Sequence, residues 1–308
     1  MPDVEPEARE PRVGALAGVG AYTLWGLFPL VFHQLQSVGA GEILVHRVVW
    51  SFVVVVVLLA VRGDRRWFDQ VRAKPGGLPR LALAAVLIAT NWLVYIWAVN
   101  NDHVVEAALG YYINPLITVA LGVAVLGERL RRVQIVALGF AGVAVVVLTV
   151  AYGRIPWVAL VLACSFAGYG FLKKAVDVDA TAALAVETAV LLLPAVAVMG
   201  YFAVSGEGAF LRGSVGRDVL LVSLGVVTAV PLILFGTAAR RIPLSLLGLL
   251  QYLTPTMQLL CGVVVFDEPL PADRLAGFAL VWIALAILAT DAIHASRRSA
   301  PLPVLEPA

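Results

Sequence analysis

Apolar stretches about as long as a bilayer is thick follow one another along nearly the whole chain, parted by loops too short to hold a domain. A helix needs roughly 20 apolar residues to cross the hydrocarbon of a membrane. Ten such segments can be drawn, at 13–35, 43–61, 80–100, 104–126, 132–151, 156–174, 182–204, 218–239, 244–266 and 273–293. The longest connection, Arg62 to Pro79, is basic and carries a Pro-Gly-Gly turn. Only Asn101, Asp102 and His103 part the third and fourth spans. Composition agrees, with 61% hydrophobic and 14% charged residues, against about 45–50% and about 25% in a soluble domain. A soluble fold of this size would leave far too much apolar surface facing water. Soluble enzymes, nucleic-acid binders, secreted disulfide domains and disordered chains are excluded. The chain reads as an all-α polytopic membrane protein whose function resides inside the bundle.

The first twelve residues are polar and rich in proline and acid, unlike a basic signal-peptide start. No A-x-A site closes the run after them, which therefore reads as a retained first span. Residues 1–12 and 294–308 are read as tails. Cys164 and Cys261 lie in apolar runs, as small core residues do, so neither a disulfide nor a metal is expected. With the N-terminus cytoplasmic, 17 Lys and Arg fall on the inner side, Lys173 and Lys174 among them. Only Arg154, Arg212, Arg217 and Arg274 fall outside, and Arg47 lies within a span. The positive-inside rule then places both termini in the cytoplasm.

An internal repeat is visible at an offset near 140. YYINPLITVALGVAVLGERL at 111–130 aligns with QYLTPTMQLLCGVVVFDEPL at 251–270. Tyr112 meets Tyr252, Pro115 meets Pro255, Gly122 meets Gly262, and Glu128 meets Glu268. The halves, 13–151 and 152–293, would hold five spans each. Five is odd, so the second half is expected upside down. An inverted repeat of this kind is the architecture of many secondary transporters, with substrate near the midplane.

Mid-span proline in lipid needs a cavity or a neighbour to satisfy the carbonyl it frees, which makes Pro115 and Pro255 candidate hinges. Around them Tyr111, Asn114 and Thr118 share one helix face, as do Gln251, Thr254 and Gln258. This matched polar stripe suits the wall of a central cavity; interhelical hydrogen bonding is the plainer alternative. Asn91, with Tyr95 four residues on, belongs to the same wall, and Trp92 beside it is a candidate. Tyr112 and Tyr252 are further candidate substrate contacts. Ionisable groups inside spans are costly and functional by default, which singles out His46, Arg47 and Glu187 for coupling or gating. Glu42 is a candidate partner for His46 or Arg47. Arg47 is either tied to Glu42 or an anchor for a polar or anionic substrate group. Glu187, the only carboxylate well inside a span, is either a proton carrier or a structural tie. HExxH, GxSxG, Walker A and CxxC motifs are absent, so no cofactor is expected and transport would be driven by a gradient.

At these residues the chain resembles the RarD-type permeases of the EamA group, in the drug/metabolite transporter superfamily. The resemblance is carried by TLWGLFPLVFHQLQ at 23–36, EILVHRVVWS at 42–51, NWLVYIWAVNNDHVVEAALGYYINPL at 91–116, GERLRR at 127–132 and QYLTPTMQ at 251–258. It implies ten helices in two inverted five-helix repeats, with cytoplasmic termini. It also implies export or exchange of small metabolites or drugs across the bacterial inner membrane, with a link to chloramphenicol sensitivity. The expected protein is a monomer or weak homodimer with a small-molecule substrate, a lipid bilayer around it and no nucleic-acid partner. A membrane-embedded lipid enzyme and a non-transporting receptor or scaffold are the rival readings.

Overall fold

The computed structural model describes residues 6–64, 66–100, 104–152 and 156–267, together with positions 279, 282, 283, 286, 287 and 290. The tenth expected span, 273–293, lies mostly outside the described residues, as do Glu268 and the hairpin tip at 101–103. Regular structure among the described residues is helical. Helices α1 (Pro6–Gly26) and α2 (Phe28–His33) cover the first expected span; α1 also extends back into what had been read as the tail. The break falls at Leu27, ahead of Pro29, which has no N–H to give the carbonyl of Trp25. Next come α3 (Ala40–Val61), a short α4 (Trp67–Ala73) within the basic connection, α5 (Gly77–Asn100) and α6 (Val104–Ala124). They are followed by α7 (Arg132–Tyr152), α8 (Trp157–Val176), α9 (Ala180–Ser205) and α10 (Val215–Arg241).

The ninth expected span is built in pieces: α11 (Leu244–Leu250), α12 (Leu253–Leu260) and a π-helical turn (Cys261–Val265). Pro255 cannot donate to Gln251, whose carbonyl instead accepts the N–H of Thr254 at 3.1 Å. Pro115, by contrast, sits inside an unbroken α6.

Seven stretches among the described residues are long and apolar enough to cross a membrane: Glu10–His33, Ala40–Val61, Gly77–Tyr95, Trp157–Val176, Ala180–Ser205, Val215–Arg241 and Leu244–Val265. A shorter apolar segment, Gly110–Ala124, accompanies them. Their surfaces are apolar, with Val57, Leu93, Val136, Leu193 and Val204 exposed, while Glu42, His46, Asn114, Lys173 and Glu187 are buried. That is the distribution of a protein solvated by lipid, and the chain is a multi-pass membrane protein. Cys261 is buried as expected, but Cys164 is exposed on α8, at an apolar surface that lipid can cover.

The packing has a regular plan. Helix α1 packs on α10 as α5 packs on α8; α6 packs on α8 as α12 packs on α1; α3 packs on α10 as α5 packs on α9. Two further pairs, α3 with α9 and α6 with α11, join the halves directly. Small residues permit the closest crossings. A side chain at Gly248 would meet the Pro115 carbonyl at 3.0 Å and the Thr118 side chain at 3.1 Å.

The ends of the helices sort into two groups. At one end, Lys74 and Arg240 both pair with Asp177, at 3.6 and 3.0 Å, and Arg241 pairs with Glu10 at 2.9 Å. At the other end Glu42 reaches the α9–α10 connection, accepting the N–H groups of Ala209 and Phe210 at 2.8 Å.

Candidate substrate cavity

A cavity of about 250 Å³ lies where α1, α2, α3, α5, α6, α8, α10, α11 and α12 converge. Its volume is just below the roughly 300–1,000 Å³ usual for small-molecule sites, so it suits a small ligand. Asn91, Tyr95, Tyr111 and Asn114 line it from α5 and α6, and Gln251, Thr254 and Gln258 from the broken ninth span. Tyr22, Trp25, Phe28, Phe32 and Phe166 supply an aromatic wall. Six of the eight substrate-binding candidates thus meet in one space. Spacing finds them because helical residues three, four and seven apart share a face.

The other two, Tyr112 and Tyr252, do not line it. Both are buried, and the Tyr252 hydroxyl donates to the Tyr112 carbonyl at 3.3 Å, tying the two spans together. Thr118 is also behind the wall. Its hydroxyl lies 3.1 Å from Oδ1 of Asn114 and 3.4 Å from Oε1 of Gln251. Asn91 donates to the Leu162 carbonyl at 2.8 Å and to Ser165 at 3.1 Å, which fixes its amide against α8. The aromatic wall from α1, α2 and α8 was missed by sequence reasoning, because apolar rings carry no polar signal.

Arg47 reaches the cavity from α3. Its Nε donates to Thr228 Oγ1 at 3.1 Å, and its guanidinium lies over Trp92 at 4.3 Å, with Phe28 and Phe32 at 5.7 and 5.8 Å. The expected tie to Glu42 is not made, because both Glu42 oxygens are engaged by backbone N–H groups of the α9–α10 connection. His46 faces away from the cavity. Its Nδ1 accepts from Trp50 Nε1 at 2.9 Å, and its ring stands edge-on to Phe210 at 4.6 Å.

Glu187 has a partner that sequence reasoning placed elsewhere. Lys173, counted there with the inner-surface cations, is buried, and its Nζ meets Oε1 of Glu187 at 2.8 Å; both side chains are 2% exposed. The Tyr169 hydroxyl donates to Oε2 at 3.0 Å. Glu187 also borders a small void of about 10 Å³ shared with Arg47, Thr228 and Trp92, which puts the ion pair directly behind the cavity wall.

A second carboxylate fixes the broken span. Glu128, on the connection after α6, accepts the N–H of Leu244 at 2.7 Å and of Ser245 at 2.8 Å, capping α11. A side chain at Gly122 would strike this carboxylate at 2.7 Å, so glycine keeps the space open. Glu128→Ala is expected to lower stability by about 2–3 kcal/mol, with Glu128→Gln intermediate because one acceptor survives. Thermal unfolding of both variants in detergent checks the order.

Comparison with known proteins places this geometry in context. The model of the EamA-like transporter family matches residues 12–150. A protein named RarD from Streptomyces exfoliatus is 52% identical over 290 residues, covering 94% of this chain and 92% of that one. An uncharacterized transporter from Pseudomonas aeruginosa is 44% identical over 287 residues, covering 93% and 96%. A crystal structure with 20% identity superposes with a TM-score of 0.69, covering 89% of this chain and 96% of the other; that likeness concerns the fold alone.

Proposed function

We propose that this chain, which belongs to the EamA-like transporter family in its RarD-type branch, is a secondary transporter that passes a small metabolite or drug through the central cavity by alternating access. The observation that carries the reading is the cavity itself. It is walled by helices from both halves of the chain and flanked by two broken spans, α1–α2 and α11–α12. Broken helices at a midplane site, between units that can rock, are the working parts of such transporters.

The architecture proposed with it is ten spans in two inverted repeats, 13–151 and 152–293. The packing plan supports this. Exchanging the first and sixth, second and seventh, third and eighth, and fourth and ninth spans turns the pairings of α1 with α10, α6 with α8 and α3 with α10 into those of α8 with α5, α12 with α1 and α9 with α5. The two breaks are not exchanged by that operation, as expected of repeats caught in different conformations. The proposal sets both termini on the cytoplasmic side of a bacterial inner membrane. The grouping of Glu10, Lys74, Asp177, Arg240 and Arg241 at one end supports that orientation.

In this reading Asn91, Tyr111, Asn114, Gln251, Thr254 and Gln258 contact substrate. Pro255 marks a hinge at a break, and Pro115 marks its repeat counterpart. Arg47 and Glu187 gate or couple across the void between them, while His46 braces α3 against Phe210. The protein works as a monomer or weak homodimer, without cofactor. A receptor or scaffold would share the fold but not the turnover.

Two steps test it. In a Cys164→Ala, Cys261→Ala background, a cysteine at Asn114 is expected to react with a small thiol reagent and to be protected by substrate. Counterflow in proteoliposomes should then follow for the protecting compound, chloramphenicol being one member of the panel. Protection without counterflow would leave a receptor; neither would leave a scaffold.

A further inference from the structure

We infer that the cavity binds a small organic monoanion, a carboxylate on a flat apolar body, with Arg47 as its counter-ion. The inference rests on the transport reading only in taking this cavity as the binding site. Arg47 is pinned rather than free: Thr228 holds Nε, and Trp92 lies against the guanidinium face at 4.3 Å. Among the described residues no carboxylate lines the cavity or pairs with this arginine. Two carboxylates on helices beside Arg47, Glu42 on α3 and Glu187 on α9, are already committed. Glu42 binds the backbone of Ala209 and Phe210, and Glu187 binds Lys173 and Tyr169. A buried cation inside a membrane bundle, without an opposite charge, is expensive. A bound anion supplies what the protein leaves out.

Several of the remaining polar atoms point the same way. The amide oxygens of Asn114 and Gln251 lie 3.1 and 3.4 Å from the Thr118 hydroxyl, whose one proton serves either of them, and their amino groups are left to donate. The Tyr22 hydroxyl, 2% exposed and on the cavity wall, has no hydrogen bond of good geometry, although Gln251 is its neighbour. Together with the Arg47 guanidinium, these amino and hydroxyl groups can donate to an acceptor-only group such as a carboxylate. Asn91 is the exception, since its amino group is spent on α8 and its oxygen remains to accept. Trp25, Phe28, Phe32 and Phe166 offer rings to an apolar body. An ammonium group finds no carboxylate among the described lining residues, and of the two lining tryptophans Trp92 is already covered by Arg47.

Four probes of one skeleton separate the charge classes: phenylacetate, phenylacetamide, phenylalanine and phenethylamine. Each is titrated against the purified protein, with thermal stability as readout, and each is tried in counterflow. Phenylacetate alone is expected to stabilise the wild type. Arg47→Gln should weaken that binding by about 10- to 100-fold, the size expected for losing charged hydrogen bonds. Should Arg47→Gln fail to fold, Asn114→Asp provides the second test. It is isosteric, places a negative charge in the same wall, and should abolish the phenylacetate response. Phenylacetate binding unchanged in both variants, an equal or larger response to the amine, amide or zwitterion, or no response to phenylacetate would overturn the assignment. Counterflow of a different class would keep the transporter and discard the anion. Arg47-dependent phenylacetate binding without counterflow would keep the anion site and discard transport.

Discussion

Replacing Lys173 with methionine is expected to destabilise this protein by about 3–5 kcal/mol, the usual cost of stripping one partner from a buried ion pair. Lys173 and Glu187 are each 2% exposed and meet at 2.8 Å, so water cannot take over the abandoned carboxylate. Only the Tyr169 hydroxyl, 3.0 Å away on the other oxygen, would remain as a donor. Combining Lys173→Met with Glu187→Gln removes both charges and should recover most of the loss, because a neutral buried pair of similar volume is often no less stable than an ionic one. Thermal unfolding of the three variants measures this directly. The same double variant also examines coupling. If Glu187 carries the proton, the repaired protein should still transport, with its dependence on external pH gone. Restored stability together with an unchanged pH profile would make the pair a structural tie and nothing more.

Why the pair escaped sequence reasoning is physical. Lys173 and Lys174 are adjacent at the end of α8, where positive charge usually marks the membrane surface. Neighbouring residues on a helix point about 100° apart, and that difference separates them. Lys174 reaches the backbone carbonyl of Ile242 at 2.7 Å at the end of α10, while Lys173 turns into the bundle. The same geometry separates Tyr111 from Tyr112. Of the polar stripe, Tyr111 and Asn114 line the cavity and Thr118 lies behind them, whereas Tyr112 entered the site only through its match to Tyr252 in the repeat. The Tyr252 hydroxyl donates to the Tyr112 carbonyl, and neither tyrosine lines the cavity. Hydrophobic length located the helices well, since lipid leaves the backbone few alternatives. Hydrophobic length could not show that the ninth span is broken at Gln251, because a run of apolar residues looks the same whether or not its hydrogen bonds are continuous. Pro255 was the available signal there, and Pro29, which breaks the first span, was an equivalent signal left unused.

Gly225→Val is expected to be the most damaging single change on the cavity side of the fold. At this crossing of α3 and α10, a side chain at position 225 would lie 2.5 Å from the backbone carbon and oxygen of Trp50. Backbone cannot rotate aside as a flexible side chain can, so the helices must separate. Overpacking in a core commonly costs 1–3 kcal/mol, and a clash with backbone belongs at or above the top of that range, about 3 kcal/mol or more. The consequence reaches the cavity. Ser51 donates to the Gly225 carbonyl at 3.3 Å, and one turn further along α10 Thr228 holds Arg47. Parting α3 from α10 therefore removes the fixed point that aims the guanidinium. Gly225→Ala should show the effect in graded form, because even a single methyl meets the same atoms. Its thermal midpoint should fall between wild type and valine, and Arg47-dependent ligand stabilisation should fall with it. A Gly225→Ala protein as stable as wild type would mean that α3 and α10 can slide apart without cost. The crossing would then be a moving joint of the transport cycle rather than a fixed one.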